Sequence, residues 1–334
     1  MKTTAKIFVG VLLVGLLGFV VIQMRRLFVQ PLAEPLSIQT RPQMEADQAA
    51  LDASDGAATT ETQATAVPQG LCGNTGKMQI LLTGADYSIG EPPLGADAIR
   101  LIQIDFDEPE IITVAFPRAM MVNTEALEDI GKTRMELGTC YYEKKEVAQG
   151  TSTEKVSAAT TLLAQVLYDN FDVEPDNYIT LQLDSVGAII DEIGGVEITI
   201  AEEVITERDV IFPVGTQTLN GRLAAEFVRT TRSGGETARL RRQELFMDAF
   251  QKKIFSASVV KEIPDLLRQF QGAMVTDLSL EQLLSLACAY QEIPKSAQTY
   301  INFMGDKYVT VDEEGTMMPK VEEIKESLEK FSTK

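Results

Sequence analysis

Two hydrophobic periodicities alternate along most of this chain. Short apolar runs bounded by glycine, proline or aspartate predict strands at residues 78–83, 98–105, 111–116, 178–183, 196–200 and 299–303. Apolar residues at helical spacing predict helices at residues 153–171, 185–193, 222–228, 238–255, 262–270, 280–289 and 321–331. Residues 106–110 suit a hairpin turn between the second and third strands. Strands that alternate with helices predict a layered α/β sandwich.

The apolar run at residues 7–24 differs from the other runs in its length. Basic residues flank it on both sides, and it is long enough to cross a bilayer at about 1.5 Å per residue. A cleaved signal peptide is the alternative, but its apolar part is only about 7–15 residues long, and no small-x-small cleavage site follows this run. The run therefore predicts a retained transmembrane helix in the cytoplasmic membrane. Residues 1–26 would form a cytoplasmic stub and this anchor, with the main domain extracytoplasmic.

The rest of the chain divides into three parts. Residues 27–76 are rich in Ala, Thr, Gln, Asp and Glu without a sustained apolar period, which predicts a flexible extracytoplasmic linker. Residues 77–260 carry most of the predicted strands and form the expected catalytic or binding domain. Residues 261–334 are expected to form a helical extension that packs on this domain and ends in a charged tail.

Composition excludes several classes of function. The formal net charge of −19 argues against a nucleic acid as partner, because a phosphate backbone needs a basic footprint. The chain has no histidine, which excludes Ser-His-Asp and His-zinc sites and leaves carboxylates, arginines and divalent cations for any chemistry. Its three cysteines, Cys72, Cys140 and Cys288, allow one disulfide outside the cell with one thiol left over.

Arginines cluster in this acidic chain at residues 229–243, which read RTTRSGGETARLRRQ. Arg239 and Arg242 are three residues apart and share one helix face. With Arg229 opposite them across the Ser-Gly-Gly turn, they predict a fork-shaped anion site suited to phosphate or pyrophosphate. The alternative is that these arginines are solvated or pair with the many acidic residues.

Two aspartates lie at the ends of neighbouring predicted strands. Asp86 ends one strand and Asp97 begins the next, so their carboxylates can meet at one edge of a sheet. A magnesium ion that bridges phosphate oxygens would need such a pair. Isolated aspartates at strand ends are more often simple turn residues.

Several stretches in one order resemble the LytR-CpsA-Psr domain over residues 78–256. They are ILLTGADYS, ADAIRLIQID, ITVAFPRAMMV, YITLQLDSVGAIIDEIGGVEITI, FPVGTQTLNGRLAAEFVR and ARLRRQELF. The resemblance implies a three-layer α/β/α sandwich with a central mixed β-sheet, preceded by one transmembrane helix. It also implies a phosphotransferase that moves a polyprenyl-pyrophosphate-linked glycan onto peptidoglycan or another wall acceptor, with Mg²⁺ or Mn²⁺ as cofactor.

The resemblance assigns roles by position. It implies metal binding by Asp86 and Asp97 and catalytic roles for Asp97, Arg118, Arg229 and Glu236. Glu236 stands where the family has an aspartate near the phosphates, and Arg118 matches the arginine of its Pro-Arg-Asp motif. The residues implied in phosphate binding are Arg118, Arg229, Arg232, Arg239, Arg242 and Gln243.

The chain departs from the family pattern at three places. Gly95-Ala96 replaces Arg-Ser before Asp97, Ala119 replaces the aspartate after Arg118, and Thr231 replaces an arginine. The loss of one electrostatic donor can slow catalysis on the order of 100-fold. The arginines that can restore the lost charge are Arg100, Arg134 and Arg232.

Three hypotheses follow from these departures. The first is the phosphotransferase itself. The second is a non-catalytic protein that binds polyprenyl-pyrophosphate glycans or acts as a scaffold after losing part of the active site. The third is a structural extracellular domain whose arginines form internal ion pairs.

Overall fold

The computed structural model describes residues 29–40, 70–85, 95–123, 125–254, 256–262, 265–266, 269 and 273–332. The predicted anchor at residues 7–24 and the predicted metal ligand Asp86 lie outside these residues. Within the described part of the chain, no helix combines the length and apolar character needed to cross a membrane.

The described elements follow the predicted alternation of strands and helices. The strands are β1 Lys77–Ala85, β2 Ala96–Asp105, β3 Glu110–Phe116, β4 Met121–Asn123, β5 Arg134–Glu136, β6 Asn177–Gln182, β7 Val196–Ile200, β8 Val204–Ile205, β9 Ile211–Phe212, β10 Gly215–Leu219, β11 Met274–Thr276, β12 Gln298–Asn302, β13 Val309–Val311 and β14 Met317–Pro319. The helices are α1 Leu137–Val147, α2 Ser152–Phe171, α3 Leu183–Glu192, α4 Gly221–Arg229, α5 Gly235–Ile254, α6 Ala257–Val260, α7 Leu280–Glu292 and α8 Val321–Ser332. Short 3-10 turns lie at Leu71–Gly73, Glu125–Ile130 and Lys295–Ala297.

Six strands form the central sheet, in the order β11-β6-β1-β2-β3-β12. β1, β2 and β3 are antiparallel, whereas β6 is parallel to β1 and β12 is parallel to β3. The sheet is therefore mixed, as predicted. Both edge strands come from residues after 260, so the segment expected to be a helical extension supplies part of the sheet itself.

Helices cover both faces of this sheet. Leu81, Leu101 and Val114 face a core that contains the buried residues of α2. Ile80 and Ile102 point to the opposite face, where α7 packs with Met247 of α5. Because both faces are buried, the strands read as almost continuous apolar runs. The sheet is the middle of three layers.

A second, smaller core places the helices that carry the arginines. Val186 of α3, Ile198 of β7 and Phe227 of α4 are buried together with Phe246 of α5. α3 and α4 approach each other at two glycines, where a Cβ on Gly221 would lie 2.0 Å from the Gly187 carbonyl oxygen. This core holds α4 and α5 together at their arginine-rich ends.

Residues 29–40 belong to the predicted flexible linker, yet they lie against the domain. The Leu32 N–H donates to the Leu278 carbonyl at 3.3 Å, and the Leu36 N–H donates to Asp277 Oδ2 at 3.2 Å. Gln39 exchanges two hydrogen bonds with the Gln165 side chain, at 2.7 and 3.0 Å. Hydrogen bonds to Leu278, Asp277 and Gln165 therefore hold this part of the predicted linker against the domain.

A disulfide joins the start of the domain to α7. Cys72 and Cys288 are bonded, with their Cα atoms 5.8 Å apart and 216 residues between them in sequence. Cys140 is free and buried, and burial raises the pKa of its thiol to about 12. The expectation of one bridge and one remaining thiol is confirmed.

Candidate functional site

Buried Asp97 and partly buried Arg118 form an ion pair at one edge of the sheet. The register of β1 against β2 shifts between Gly84 and Ala85, and Asp97 is the extra residue of this bulge. Such a bulge redirects a side chain out of the regular alternation. Asp97 is only 6% exposed, and its Oδ1 accepts a hydrogen bond from Arg118 Nη1. The structure therefore brings together two residues that the sequence analysis placed in the site.

The glycine before this aspartate is required by its surroundings. Gly95 has a φ of +83°, and a Cβ there would lie 2.1 Å from the carbonyl oxygen of Gly138. Gly138 in turn donates its N–H to the Arg118 carbonyl at 2.8 Å. Because the backbones meet this closely, an arginine at position 95 does not fit this arrangement. The departure from the family pattern at Gly95 thus follows from the packing of α1 against β2.

Arg239, Arg242 and Gln243 lie on one face of α5, as their spacing predicted. Arg239 is only 1% exposed, which makes it the largest fully buried side chain among the described residues. Gln243 donates its Nε2 to the Val228 carbonyl at 3.3 Å, while its buried Oε1 has no hydrogen-bond partner within the described part of the chain. Arg229 ends α4, next to this face. The anion site predicted from sequence therefore corresponds to the junction of α4 and α5.

Arg242 has a structural role that the sequence analysis did not assign. Its Nε donates to the Phe227 carbonyl at 3.2 Å, and its Nη1 donates to the Ser233 carbonyl at 2.8 Å. Its Nη2 donates to the Thr230 carbonyl. Burial lowers the pKa of this guanidinium. Arg242 thus closes the turn between α4 and α5, and its predicted contact with phosphate stays a prediction.

Arg232 is directed away from this face. Its Nη1 donates to the Thr206 carbonyl at 2.9 Å and to Asp209 Oδ1 at 2.6 Å, in the turn between β8 and β9. Thr231, where the family has an arginine, donates its hydroxyl to Glu207 at 3.2 Å. A shift of one residue redirects a side chain, and the phosphate-binding role predicted for Arg232 stays a prediction.

The other two arginines that can restore the lost charge are also engaged elsewhere. Arg134 donates its Nη2 to the Met318 sulfur at 2.7 Å, on an exposed part of the surface. Arg100 is buried below α5, with its guanidinium 5.6 Å from the centre of the Tyr300 ring. Among the residues that the structure describes, its buried Nη2 has no hydrogen-bond partner, and Arg100 lines a small cavity together with Glu244. Burial raises the pKa of Glu244, although Arg100 acts in the opposite direction.

The donor set at the sheet edge fits a divalent cation in part. Asp97 supplies one buried carboxylate, and Mg²⁺ is commonly held by one or two carboxylates together with phosphate oxygens and water. Within the described ranges, no cluster of three acidic or cysteine side chains could hold a metal ion. The second predicted ligand, Asp86, lies outside the described residues, as does the side chain of Glu236 in the first turn of α5.

Known proteins resemble this chain in sequence. The model of the LytR_cpsA_psr family matches residues 42–330. The polyisoprenyl-teichoic acid–peptidoglycan teichoic acid transferase TagU of Oceanobacillus iheyensis is 26% identical over 216 residues, which cover 64% of this chain and 62% of that protein. The regulatory protein MsrR of Staphylococcus aureus is 23% identical over 209 residues, covering 61% of this chain and 58% of MsrR. The chain thus spans about three fifths of the length of these relatives.

Solved structures share the fold. Bacillus subtilis TagV aligns with a TM-score of 0.58 at 18% identity, covering 77% of this chain and 97% of TagV. TagT bound to LIIa-WTA aligns with a TM-score of 0.57 at 18% identity, covering 77% of this chain and 90% of TagT. With the family model matched across most of its length, this chain belongs to the LytR_cpsA_psr family.

Proposed function

We propose that this protein transfers a polyprenyl-pyrophosphate-linked glycopolymer to peptidoglycan or another wall acceptor. The observation that carries the proposal is the ion pair of buried Asp97 with partly buried Arg118, at the sheet edge where the family pattern has its aspartate and arginine. Buried Arg239 at the α4–α5 junction supplies a second guanidinium in a water-poor setting, where it interacts strongly with an anion. The name of the relative TagU, a teichoic acid transferase that acts on peptidoglycan, supports this reaction class.

In the proposed reaction, a hydroxyl oxygen of the acceptor attacks the phosphorus next to the glycan. The bond from this phosphorus to the bridging oxygen breaks, and the polyprenyl phosphate leaves with both electrons of that bond. The hydroxyl proton passes to a carboxylate, either Asp97 or Glu236. Because Arg118 holds one oxygen of Asp97, the carboxylate keeps one orientation at the bulge. Asp97 is therefore the candidate whose orientation the structure describes.

The arginines oppose the charge that develops on the phosphates. Arg118, Arg229 and Arg239 are the guanidinium groups that we assign to this role, since Arg242 donates to backbone carbonyls around Ser233. A Mg²⁺ or Mn²⁺ ion held by Asp86 and Asp97 would supply further neutralisation of phosphate oxygens when bound.

We further propose that the domain lies outside the cytoplasmic membrane and is anchored by residues 7–24. The Cys72–Cys288 bond supports this placement, because structural disulfides persist in oxidising compartments. Protease treatment of intact cells, followed by detection of the domain and the anchor separately, tests it. Survival of the domain in intact cells and its loss after membrane rupture would contradict the proposed topology.

The competing function is a binding or scaffold protein without turnover, and two observations favour it. Packing excludes an arginine at Gly95, and Thr231 uses its hydroxyl to bind Glu207. Two positive charges of the family pattern are therefore lost, and Arg232 is not placed to restore either of them.

Transfer can be measured with the full-length chain in detergent micelles. A fragment that starts at Lys77 would lack both the segment 29–40 and the disulfide of Cys72. The protein is incubated with a polyprenyl-pyrophosphate oligosaccharide and peptidoglycan, with Mg²⁺ or with EDTA. Release of polyprenyl phosphate and labelling of peptidoglycan are both followed, for the wild type and for Arg118→Ala and Arg229→Ala.

Arg134→Ala serves as the matched control, because Arg134 is exposed and lies away from the site. Mg²⁺-dependent transfer that falls at least about 100-fold in the two site variants but not in the control supports the phosphotransferase. Tight binding of the lipid without release of polyprenyl phosphate identifies the scaffold instead. Absence of both binding and release contradicts both functions and leaves the structural domain.

A further inference from the structure

Two loops beside the candidate site are joined by an unusual number of polar contacts. One loop, residues 206–210, follows Ile205 at the end of β8 and leads to β9, and the other, residues 230–234, connects α4 to α5. Ser233 Oγ accepts from the Ile205 N–H at 2.8 Å and donates to the Ile205 carbonyl at 2.9 Å. We call this pair of loops the clasp. It fixes the segment that lies between Arg229 and the arginines of α5.

Glu207 is the centre of the clasp. Its Oε1 accepts from the N–H groups of Thr231 at 2.8 Å and Arg232 at 2.9 Å. The same oxygen accepts from the Thr231 hydroxyl at 3.2 Å. A carboxylate that receives several donors at a loop between helices can hold the backbone of that loop in one conformation. Thr231 and Arg232 lie between α4 and α5, so their N–H groups take no part in the backbone hydrogen bonds of either helix.

The loop 230–234 is held from its other side by α5. Arg242 donates to the carbonyls of Thr230 and Ser233, so it binds the acceptors of the same loop whose donors bind Glu207. Glu207 and Arg242 also attract each other electrostatically. The loop is therefore fixed between one carboxylate and one guanidinium, neither of which belongs to the loop itself.

From this geometry, we propose that Glu207 is a positioning residue that fixes the spacing between Arg229 of α4 and Arg239 of α5. Its effect on transfer rests on the proposed function, whereas its effect on the loop does not. In place of the arginine of the family pattern, this chain has Thr231, which supplies two of the donors that Glu207 accepts. This chain thus has one arginine fewer than the family pattern in this loop, while Glu207 holds its remaining arginines in place.

The charge state of Glu207 agrees with this role. Burial raises the pKa of its carboxyl, but hydrogen bonds from Thr230, Thr231, Arg232 and its own backbone outweigh burial and bring the pKa to about 2. The carboxylate is therefore ionised at every pH at which a cell wall is built. A neutral amide at this position keeps the shape of the side chain but accepts more weakly.

The test combines Glu207→Ala and Glu207→Gln with the control Glu197→Gln, an exposed glutamate on β7. Hydrogen exchange of the full-length protein in micelles is followed at residues 229–243. In Glu207→Ala we expect amide exchange at Thr231 and Arg232 to rise at least about tenfold, and in Glu207→Gln to rise less, with no change in the control. Unchanged exchange in Glu207→Ala overturns the proposal, whether or not the protein has transferase activity.

Binding and turnover distinguish positioning from general destabilisation. If the wild type transfers glycan, we expect Glu207→Ala to lower kcat about tenfold with a smaller change in KM, and Glu207→Gln to recover part of the loss. If the wild type only binds, affinity for polyprenyl pyrophosphate replaces kcat as the readout. Equal loss in the two variants, together with a matching fall in thermal stability, would indicate a merely structural glutamate and contradict the proposal.

Discussion

Replacement of Arg242 by alanine tests whether this arginine supports the fold as well as the ligand. The substitution removes three N–H donors from the carbonyls of Phe227, Thr230 and Ser233. The Arg242 side chain is 7% exposed, so water cannot easily replace these donors. We therefore expect Arg242→Ala to destabilise the protein in the absence of any ligand.

The magnitude follows from the bonds that are lost. A hydrogen bond to a charged group contributes about 1.5–3 kcal/mol, and a buried acceptor left without a donor adds a penalty of about 1–3 kcal/mol. Contributions within one network are not additive, and large single effects lie near 4–5 kcal/mol. We expect a loss of about 4 kcal/mol in the free energy of unfolding. At about 2–4 °C per kcal/mol, the melting temperature would fall by roughly 10 °C.

Urea denaturation and thermal unfolding of ligand-free protein measure this loss. Arg222→Ala is the control, because Arg222 lies on the exposed side of α4 and its removal should change stability by less than about 0.5 kcal/mol. Arg242→Lys should recover little, because one ammonium cannot reach three carbonyls as the planar guanidinium does. A melting temperature within about 2 °C of wild type, combined with lost binding of polyprenyl pyrophosphate, would refute the structural role and identify Arg242 as a ligand contact.

Three further predictions concern the disulfide, the sheet edge and pH. Cys72→Ser breaks the link to Cys288, which is 216 positions away in sequence, and so increases the conformational entropy of the unfolded chain. It should lower the free energy of unfolding, measured by urea titration, by up to about 5 kcal/mol. A loss below about 1 kcal/mol would contradict this prediction. Gly95→Ala should lower the free energy of unfolding by about 3 kcal/mol in the same titrations. Gly131 also has a positive φ but has open space for a Cβ, so Gly131→Ala should lower it by only about 1 kcal/mol. Equal losses would disprove the close contact at Gly95. Hydrogen bonds in the clasp hold the pKa of the Glu207 carboxyl at about 2, against 4.5 for the free group, so the stabilisation it provides is full above pH 4.5 and is lost as the pH falls toward 2. Exchange at residues 230–233 should therefore stay slow down to about pH 4.5, and loss of protection already near pH 6 would show that another group controls the loop.

The local pattern of the chain determined most of the core elements. The apolar pattern predicted β1, β2, β3, β6 and α2 where the structure has them. A strand whose two faces are both buried is apolar along its length, and a helix with one buried face is apolar at every third or fourth residue. The apolar pattern did not predict α1. Only residues near its beginning are buried, so its sequence carries little helical periodicity.

The sequence also determined that Arg239 and Arg242 share a face of α5, since they are three residues apart on one helix. It could not determine where that face points. Arg242 donates to carbonyls of a loop nine or more residues earlier in the chain, and Arg232 reaches the turn between β8 and β9. The hydrogen-bond partners of both arginines depend on how α4, α5 and the β8–β9 turn pack together.

Contacts between residues distant in sequence decided the remaining features. Residues 29–40 fall within the predicted linker, yet Asp277 and Gln165 supply them with backbone partners that no local pattern records. The glycine at position 95 is explained only by the approach of Gly138, and β11 is explained only by its pairing with β6. The apolar pattern predicted β12, but only its pairing with β3 places it at the edge of the sheet. Each of these contacts forms between two segments that are distant in sequence and meet only in the folded protein. The tertiary structure alone therefore decides which hydrogen bonds form and which backbones lie close together.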